Sequence, residues 1–230
     1  MKGTFFFSII LLAVICSVPL AAQETGGPPA QKRYSWFAAG SVLFFPEKNG
    51  IRSDSMPILP VPGAGFSISF FDKFHLETTL DMYFTTYGYD FYLDRAVPRA
   101  WENRSAFVWG NVLGVQAAYF WHIRPNISIR AYAGPAIDLR IIFIAPDLDK
   151  ANNPMDEIKK ETNAARRYFW SGGRWLLPVL GTGMDFTLNE KFRLGFDIRV
   201  WTPMYKLWTK EDAPIIDGWR FGIGARVTFL

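Results

Sequence analysis

Residues 219–230 read WRFGIGARVTFL, and this stretch decides the fold class. Apolar residues alternate in it with arginine, glycine and threonine, which is the two-residue period of a β-strand with unlike faces. Residues 192–201, FRLGFDIRVW, repeat the same alternation. The two stretches, joined by a polar loop at 209–217, predict a hairpin with one apolar face and one charged, glycine-rich face.

Six further segments upstream alternate in a similar way, at residues 34–45, 63–71, 74–87, 105–123, 127–143 and 174–188. The connections between the strands are long and short in turn, and the longest loops fall at 46–62, 90–104 and 145–173. An even number of antiparallel strands with short turns at one end and long loops at the other is typical of outer-membrane barrels. We therefore predict an all-β fold, an eight-stranded antiparallel up-and-down transmembrane β-barrel over residues 34–230. Within the longest loop, residues 155–169 are compatible with a short polar helix or with disorder.

The first 33 residues differ in character from the rest of the chain. Residues 5–18 are almost entirely apolar, which is shorter than the roughly 20 residues of a transmembrane helix, and small residues follow. This pattern predicts a signal peptide over 1–22 and a short periplasmic leader over 23–33. An acylated lipoprotein cysteine at Cys16 is the alternative. Cys16 is the only cysteine, so the mature chain would cross an oxidising compartment without forming disulfides.

The charged residues indicate which face of the strands points inward. Lysines fall in loops, turns and strand ends, whereas arginines occupy strand interiors together with glycines and acids. Because the planar fork of arginine suits enclosed ion pairs, we expect the polar face to line a narrow, plugged interior. A soluble, lipocalin-like barrel would instead turn the apolar face inward. The predicted interior ion-pair network comprises Glu77, Asp81, Arg130, Asp138, Arg140, Asp185, Arg193, Asp197, Arg199, Arg220 and Arg226.

On these grounds residues 34–230 resemble the small eight-stranded outer-membrane barrels, such as the OmpA transmembrane domain and the OmpX, Ail and OmpW proteins. The resemblance implies residence in the outer membrane of a diderm bacterium, as a monomer surrounded by outer-membrane lipids. It also implies an aromatic C-terminal assembly signal that the barrel-assembly machinery reads. Here that signal would be Phe221, Ile223, Val227 and Phe229, although Leu230, and not an aromatic residue, is last.

The expected role is structural or adhesin-like, with an extracellular ligand bound through the long loops. The alternatives are OmpW-like passage of small apolar molecules, for which Ile142, Leu177, Val179 and Trp201 are apolar residues on otherwise polar faces, and a soluble periplasmic lipocalin-like ligand-binding barrel. The small basic excess, a formal net charge of +4, does not indicate nucleic-acid binding.

Residues capable of catalysis or metal binding are few. His75 and His122 are the only histidines, and with Glu77 they give a weak indication of a base or metal pair at the short-turn rim. The Asp147-Leu148-Asp149 segment lacks the glycine and distal glutamate of an EF-hand loop. We therefore expect no enzyme activity, no cofactor and no metal.

Overall fold

The computed structural model describes residues 34–45, 58–71, 73–90, 95–98, 106–144, 155–209 and 218–230. The predicted signal peptide and leader, Cys16 and the Asp147-Leu148-Asp149 segment lie outside these ranges. The described residues form ten strands: β1 Tyr34–Phe44, β2 Leu59–Phe71, β3 Phe74–Asp90, β4 Arg95–Pro98, β5 Ala106–Arg124, β6 Ile127–Gly134, β7 Ala136–Ile144, β8 Val179–Thr187, β9 Phe192–Trp201 and β10 Arg220–Phe229. They also form two helices, α1 Met155–Trp170 and α2 Lys206–Thr209.

The strands close into a barrel. Each wall strand pairs antiparallel with its neighbours, β3 pairs with β5, and the first strand β1 pairs with the last strand β10. Strands β6 and β7 are two halves of one wall strand, since both pair with β5 on either side of Pro135. Strand β4 pairs only with the far end of β3 and lies outside the wall. The predicted eight-stranded antiparallel barrel is thus confirmed in the described part of the chain.

The stagger of the barrel can be read from the register. Following paired positions once around the wall from Val112 on β5 leads back to β5 at His122, ten residues farther along. The intermediate positions are Asp81, Gly63, Ala39, Arg226, Gly195, Asp185 and Ser128. A closed sheet with this stagger has strands tilted by about 40°, and eight strands leave an interior just wide enough for side chains.

The two faces of the wall are distributed as the alternation predicted. Phe221, Ile223, Val227 and Phe229 on β10 are exposed on the outside, and Arg220 and Arg226 of the same strand are buried. This places the apolar face outward and the charged face inward, which is opposite to the lipocalin-like alternative. None of the helices in the described ranges is both long and apolar enough to cross a membrane.

The second strand begins earlier than predicted. Strand β2 starts at Leu59, within the segment 46–62 that we expected to be a loop because of its prolines. Positions 59–62 pair with β1, whereas the pairing of β2 with β3 begins at Gly63. Pro60 and Pro62 lie two positions apart, so the N–H groups that they lack would point to the same side of β2. Because this part of β2 is hydrogen-bonded only on its other side, to β1, the prolines are tolerated.

Prolines also account for two other differences. The strand expected over 127–143 is interrupted at Pro135, which has no N–H for the ladder. The strand expected over 174–188 begins only at Val179, directly after Pro178. Residues 172–175 form a turn, and Leu176 makes one isolated bridge with Ile137. In addition, the predicted loop 90–104 contains β4.

Helix α1 occupies part of the longest predicted loop, in agreement with the helical alternative for 155–169. Its buried side chains are Ala165, Tyr168 and Phe169, and it contacts β3, β4 and β7. Lys159, Arg166 and Arg167 are exposed. The helix therefore lies over the long-loop end of the barrel with its apolar side directed into the mouth.

Candidate functional site

The interior contains a first cluster of charges around Asp138. Its carboxylate accepts hydrogen bonds from Tyr83 Oη at 2.9 and 3.0 Å, from Arg140 Nε at 2.9 Å and from Arg220 Nη2 at 2.6 Å. The Arg140 guanidinium lies 4.5 Å from the ring centre of Phe169 on α1. This cluster joins β3, β7 and β10 and contacts the helix above it.

A second cluster begins at Glu77, where two arginines converge. Arg130 Nη1 and Arg226 Nη1 lie 3.2 and 3.0 Å from the Glu77 carboxylate. Arg226 Nη2 also lies 3.2 Å from Asp185, and Arg130 Nε lies 3.9 Å from the same acid. These four residues are all buried, and they connect strands β3, β6, β8 and β10 across the lumen.

The second cluster continues toward the long-loop end through Asp197. Arg130 Nη2 lies 3.3 Å from Asp197, and Arg199 Nε lies 3.5 Å from it. Arg199 Nη1 donates to Asp81 at 2.8 Å. An unbroken series of ion pairs therefore runs from Asp185 to Asp81.

The structure thus brings ten of the eleven predicted network residues into two clusters, with five carboxylates and five guanidinium groups. Arg193 forms no ion pair within 4 Å in the described part of the chain, although it interacts electrostatically with Asp185 of the second cluster. It is half-buried, and its guanidinium lies 5.8 Å from the ring centre of Phe120 near the short-turn rim. The first cluster has one carboxylate and two guanidinium groups, and the second has four carboxylates and three guanidinium groups, so their formal charges of +1 and −1 sum to zero.

Glycines make room for the large interior side chains. Tyr83 is paired directly across from Gly110, and a Cβ atom added at Gly110 would overlap the Tyr83 ring. Tyr132 covers Gly181 in the same way. The absence of a side chain on one strand thereby fixes the position of an aromatic ring on the next strand.

An apolar layer that was not predicted from the sequence lies above the charges. Ile142, Leu177, Val179 and Trp201 come together in one buried cluster with Tyr168 and Phe169 of α1. The four strand and turn residues were noted as apolar exceptions on polar faces, but the residues that cover them belong to the helix. The spacing of Ala165, Tyr168 and Phe169 on one side of a helical pattern is the signal that could have identified this layer.

The two histidines lie near the short-turn rim, each beside a serine. His75 Nδ1 is 3.2 Å from Ser67 Oγ, and His122 Nδ1 is 2.8 Å from Ser128 Oγ. Among the described residues, no group of three or more His, Cys, Asp or Glu side chains is arranged to hold a metal ion. The histidines are therefore placed as hydrogen-bonding residues of the rim.

Comparisons with known proteins concern the fold. No family model matches the chain, and no curated protein matches it. Among solved structures, it is similar to the outer membrane protein OprG of Pseudomonas aeruginosa, with a TM-score of 0.49, 11% identity, and coverage of 85% of this chain and 95% of that one.

Two further similar structures have comparable values. Neisserial surface protein A has a TM-score of 0.47 and 8% identity, with 85% of this chain and 96% of that chain covered. Ail of Yersinia pestis has a TM-score of 0.41 and 8% identity, with 85% and 94% covered. In fold, the chain is similar to the small eight-stranded outer-membrane barrels.

Proposed function

We propose that this protein is an integral outer-membrane barrel with a closed interior, whose role is structural and whose long-loop end binds a partner outside the cell. Its residence in a membrane is supported by the outward apolar face and the buried charged face. In outer-membrane barrels with an even number of strands, the rim with short turns faces the periplasm and the long loops face the outside of the cell.

The observation that carries the closed interior is the series of ion pairs across the lumen. The Asp185 to Asp81 series links strands on opposite sides, and the Asp138 cluster and the apolar layer under α1 lie above it. Eight strands leave no more than side-chain width inside. Side chains that are buried and mutually bonded fill that width.

Planar-bilayer recording tests the closed interior. We expect the refolded chain to show no stable conductance. A variant in which residues 155–170 are replaced by a short Gly-Ser linker serves as the comparison, because it removes the helix but leaves the ion pairs of the wall. Steady single-channel openings in the unmodified protein would contradict a closed interior.

The surface role is supported by the length of the three loops at this end of the barrel and by the exposed lysine and arginine side chains of α1. Replacing residues 46–57, 91–94 together with 99–105, or 145–173 by short Gly-Ser linkers should abolish binding to cells or extracellular matrix while the barrel remains heat-modifiable on gels. Binding that persists in all three variants would exclude the loops as the contact surface. Replacing Asn189, Glu190 and Lys191 at the short-turn end is the matched control.

Passage of small apolar molecules is the second candidate, favoured by one observation. Ile142, Leu177, Val179 and Trp201 belong to one buried apolar cluster that also includes Tyr168 and Phe169 of α1. If α1 moves away, the part of this cluster that it leaves would offer an apolar solute a binding surface. Uptake of an apolar fluorescent dye into vesicles should then rise in the Phe169→Ala variant, because removing this contact frees α1. Uptake equal to that of vesicles without protein would remove this candidate.

For assembly, the same proposal makes the outward residues of β10 the signal that the barrel-assembly machinery binds. Phe221, Ile223, Val227 and Phe229 form one apolar row on the outer face. The folded product is proposed to be a monomer that needs no cofactor.

A further inference from the structure

The outer apolar face differs in height from one strand of the barrel to another. On β5 it extends from Trp121, near the short-turn rim, to Phe107, fourteen residues away. At about 3.3 Å per residue and a tilt of about 40°, this corresponds to about 35 Å along the barrel axis. On β9 the corresponding face runs from Phe192 to Val200, which by the same geometry is about 20 Å.

The taller side exceeds the membrane thickness that such barrels match. Their apolar band is about 25 Å high. Measured upward from Trp121, that height ends near Asn111, the polar residue on the outer face of β5. Trp109 and Phe107 therefore lie above the level at which the hydrocarbon of an average bilayer ends.

These residues belong to an apolar patch on the outer side of β3, β5 and β7, which we call the upper aromatic patch. Phe107 lies 5.6 Å from Phe84 and 6.4 Å from Phe143, and Phe84 lies 6.1 Å from Trp109, measured between ring centres. Phe84, Ile141 and Phe143 are 48%, 45% and 50% exposed. The patch consists of Phe84, Phe107, Trp109, Ile141 and Phe143.

The opposite face of the same strands is already covered. Val108 and Ile142 point inward and are buried with Tyr168 and Phe169 of α1. The inner side of these strands is thus covered, whereas their outer aromatic side is exposed. An exposed apolar sheet face of this kind on the surface of a protein indicates a contact.

Two features of the patch indicate what covers it. It is continuous with the lipid-facing residues below, since Leu113 on β5 and Ile137 on β7 share its outer face. Its five side chains are apolar or aromatic and carry no charge, so they offer little to a polyanion or a charged protein surface. Hydrocarbon of the same membrane fits both features.

We propose that the upper aromatic patch is covered by acyl chains of the outer leaflet, so that the bilayer around this protein is taller beside β3, β5 and β7 than beside β8 and β9. This inference rests on the proposed membrane residence of the barrel. A membrane accommodates such a mismatch by tilt of the protein or local thickening. The protein would accordingly sit asymmetrically in its membrane.

Spin labels on single cysteines test the proposal. In the full chain carrying Cys16→Ser, labels are placed at Phe107→Cys and Phe143→Cys in the patch. Val115→Cys, in the middle of the apolar band, and Lys191→Cys, in the short turn, are the lipid and water controls. Each variant is refolded into bilayers of 18-carbon and of 12-carbon lipids, and the accessibility of the label to oxygen and to a water-soluble nickel complex is measured.

We expect the labels at positions 107 and 143 to resemble that at 115 in the thick bilayer and to shift at least severalfold toward nickel accessibility in the thin one. Nickel accessibility equal to that at 191 in both bilayers would overturn the proposal. Dipolar broadening between copies at 107 and 143 would also overturn it and assign the patch to self-association. Water accessibility at 115 would instead contradict membrane residence itself, so the two failures are distinguishable.

Discussion

Glu77 is the carboxylate that two arginines from different strands share, and its replacement should be costly. In Glu77→Gln the charges of Arg130 and Arg226 lose one partner in a buried setting. Breaking a buried ion pair from one side costs about 3–5 kcal/mol. We expect the urea midpoint of the refolded protein to fall accordingly, as followed by tryptophan fluorescence.

The matched control is Glu190→Gln, because Glu190 lies exposed in the turn between β8 and β9. The same chemical change there should leave the midpoint nearly unchanged, since exposed charges contribute little to stability. Equal midpoints for the two variants would show that the Glu77 ion pairs do not stabilise the barrel.

Gly110 gives a second prediction for a single residue. In Gly110→Ala the new methyl group would overlap the ring of Tyr83, which is held by Asp138. Overpacking of this kind costs about 1–3 kcal/mol. Gly40→Ala is the control, because a Cβ added there meets nothing within 4 Å. Thermal unfolding followed by circular dichroism should show a lower transition for the first variant only.

Among the elements, helix α1 depends on Phe169, whose ring is buried under Arg140. In Phe169→Ala we expect the helix to detach from the mouth, because one of its two buried aromatic side chains is removed. Trypsin should then cleave after Lys159, Arg166 or Arg167 at least several times faster, while the barrel itself stays resistant. The control variant Trp170→Ala lacks only the neighbouring exposed ring, and trypsin should cleave it at the same rate as the unmodified protein. Equal rates for all three would contradict docking through Phe169.

For strands with a strict two-residue period, the sequence predicted both the strand and which of its side chains point into the barrel. The residues of β9 and β10, including Arg199, Arg220 and Arg226, lie on the sides that the alternation indicated. The start of β2 at Leu59 could not be predicted, because Pro60 and Pro62 are tolerated only through the one-sided pairing with β1. The contact of Phe169 with Arg140 could not be predicted either, because it depends on how α1 packs against the barrel and not on a local sequence pattern.

For the whole molecule, closure between β1 and β10 is directly testable. Ala38 and Val227 are paired across this seam and both point outward. With Cys16→Ser, the double variant Ala38→Cys/Val227→Cys should form a disulfide on mild oxidation, because paired residues bring their Cβ atoms within bridging distance. Ala38→Cys/Ile223→Cys, in which the second cysteine is four positions out of register, should remain reduced. Crosslinking of both or neither would contradict the seam.

The ion pairs of the last strand have a consequence for the folding and membrane insertion of the barrel. Arg226 binds Glu77 across 149 positions of sequence, and Arg220 binds Asp138 across 82. Until β10 takes its place, each of these acids lacks one of its two arginine partners, because among the described residues Glu77 then pairs only with Arg130 and Asp138 only with Arg140. Because contacts between distant segments form slowly and have to form together, insertion should be a late, concerted step. The chain would have to be kept soluble and not yet inserted until its final residues are available.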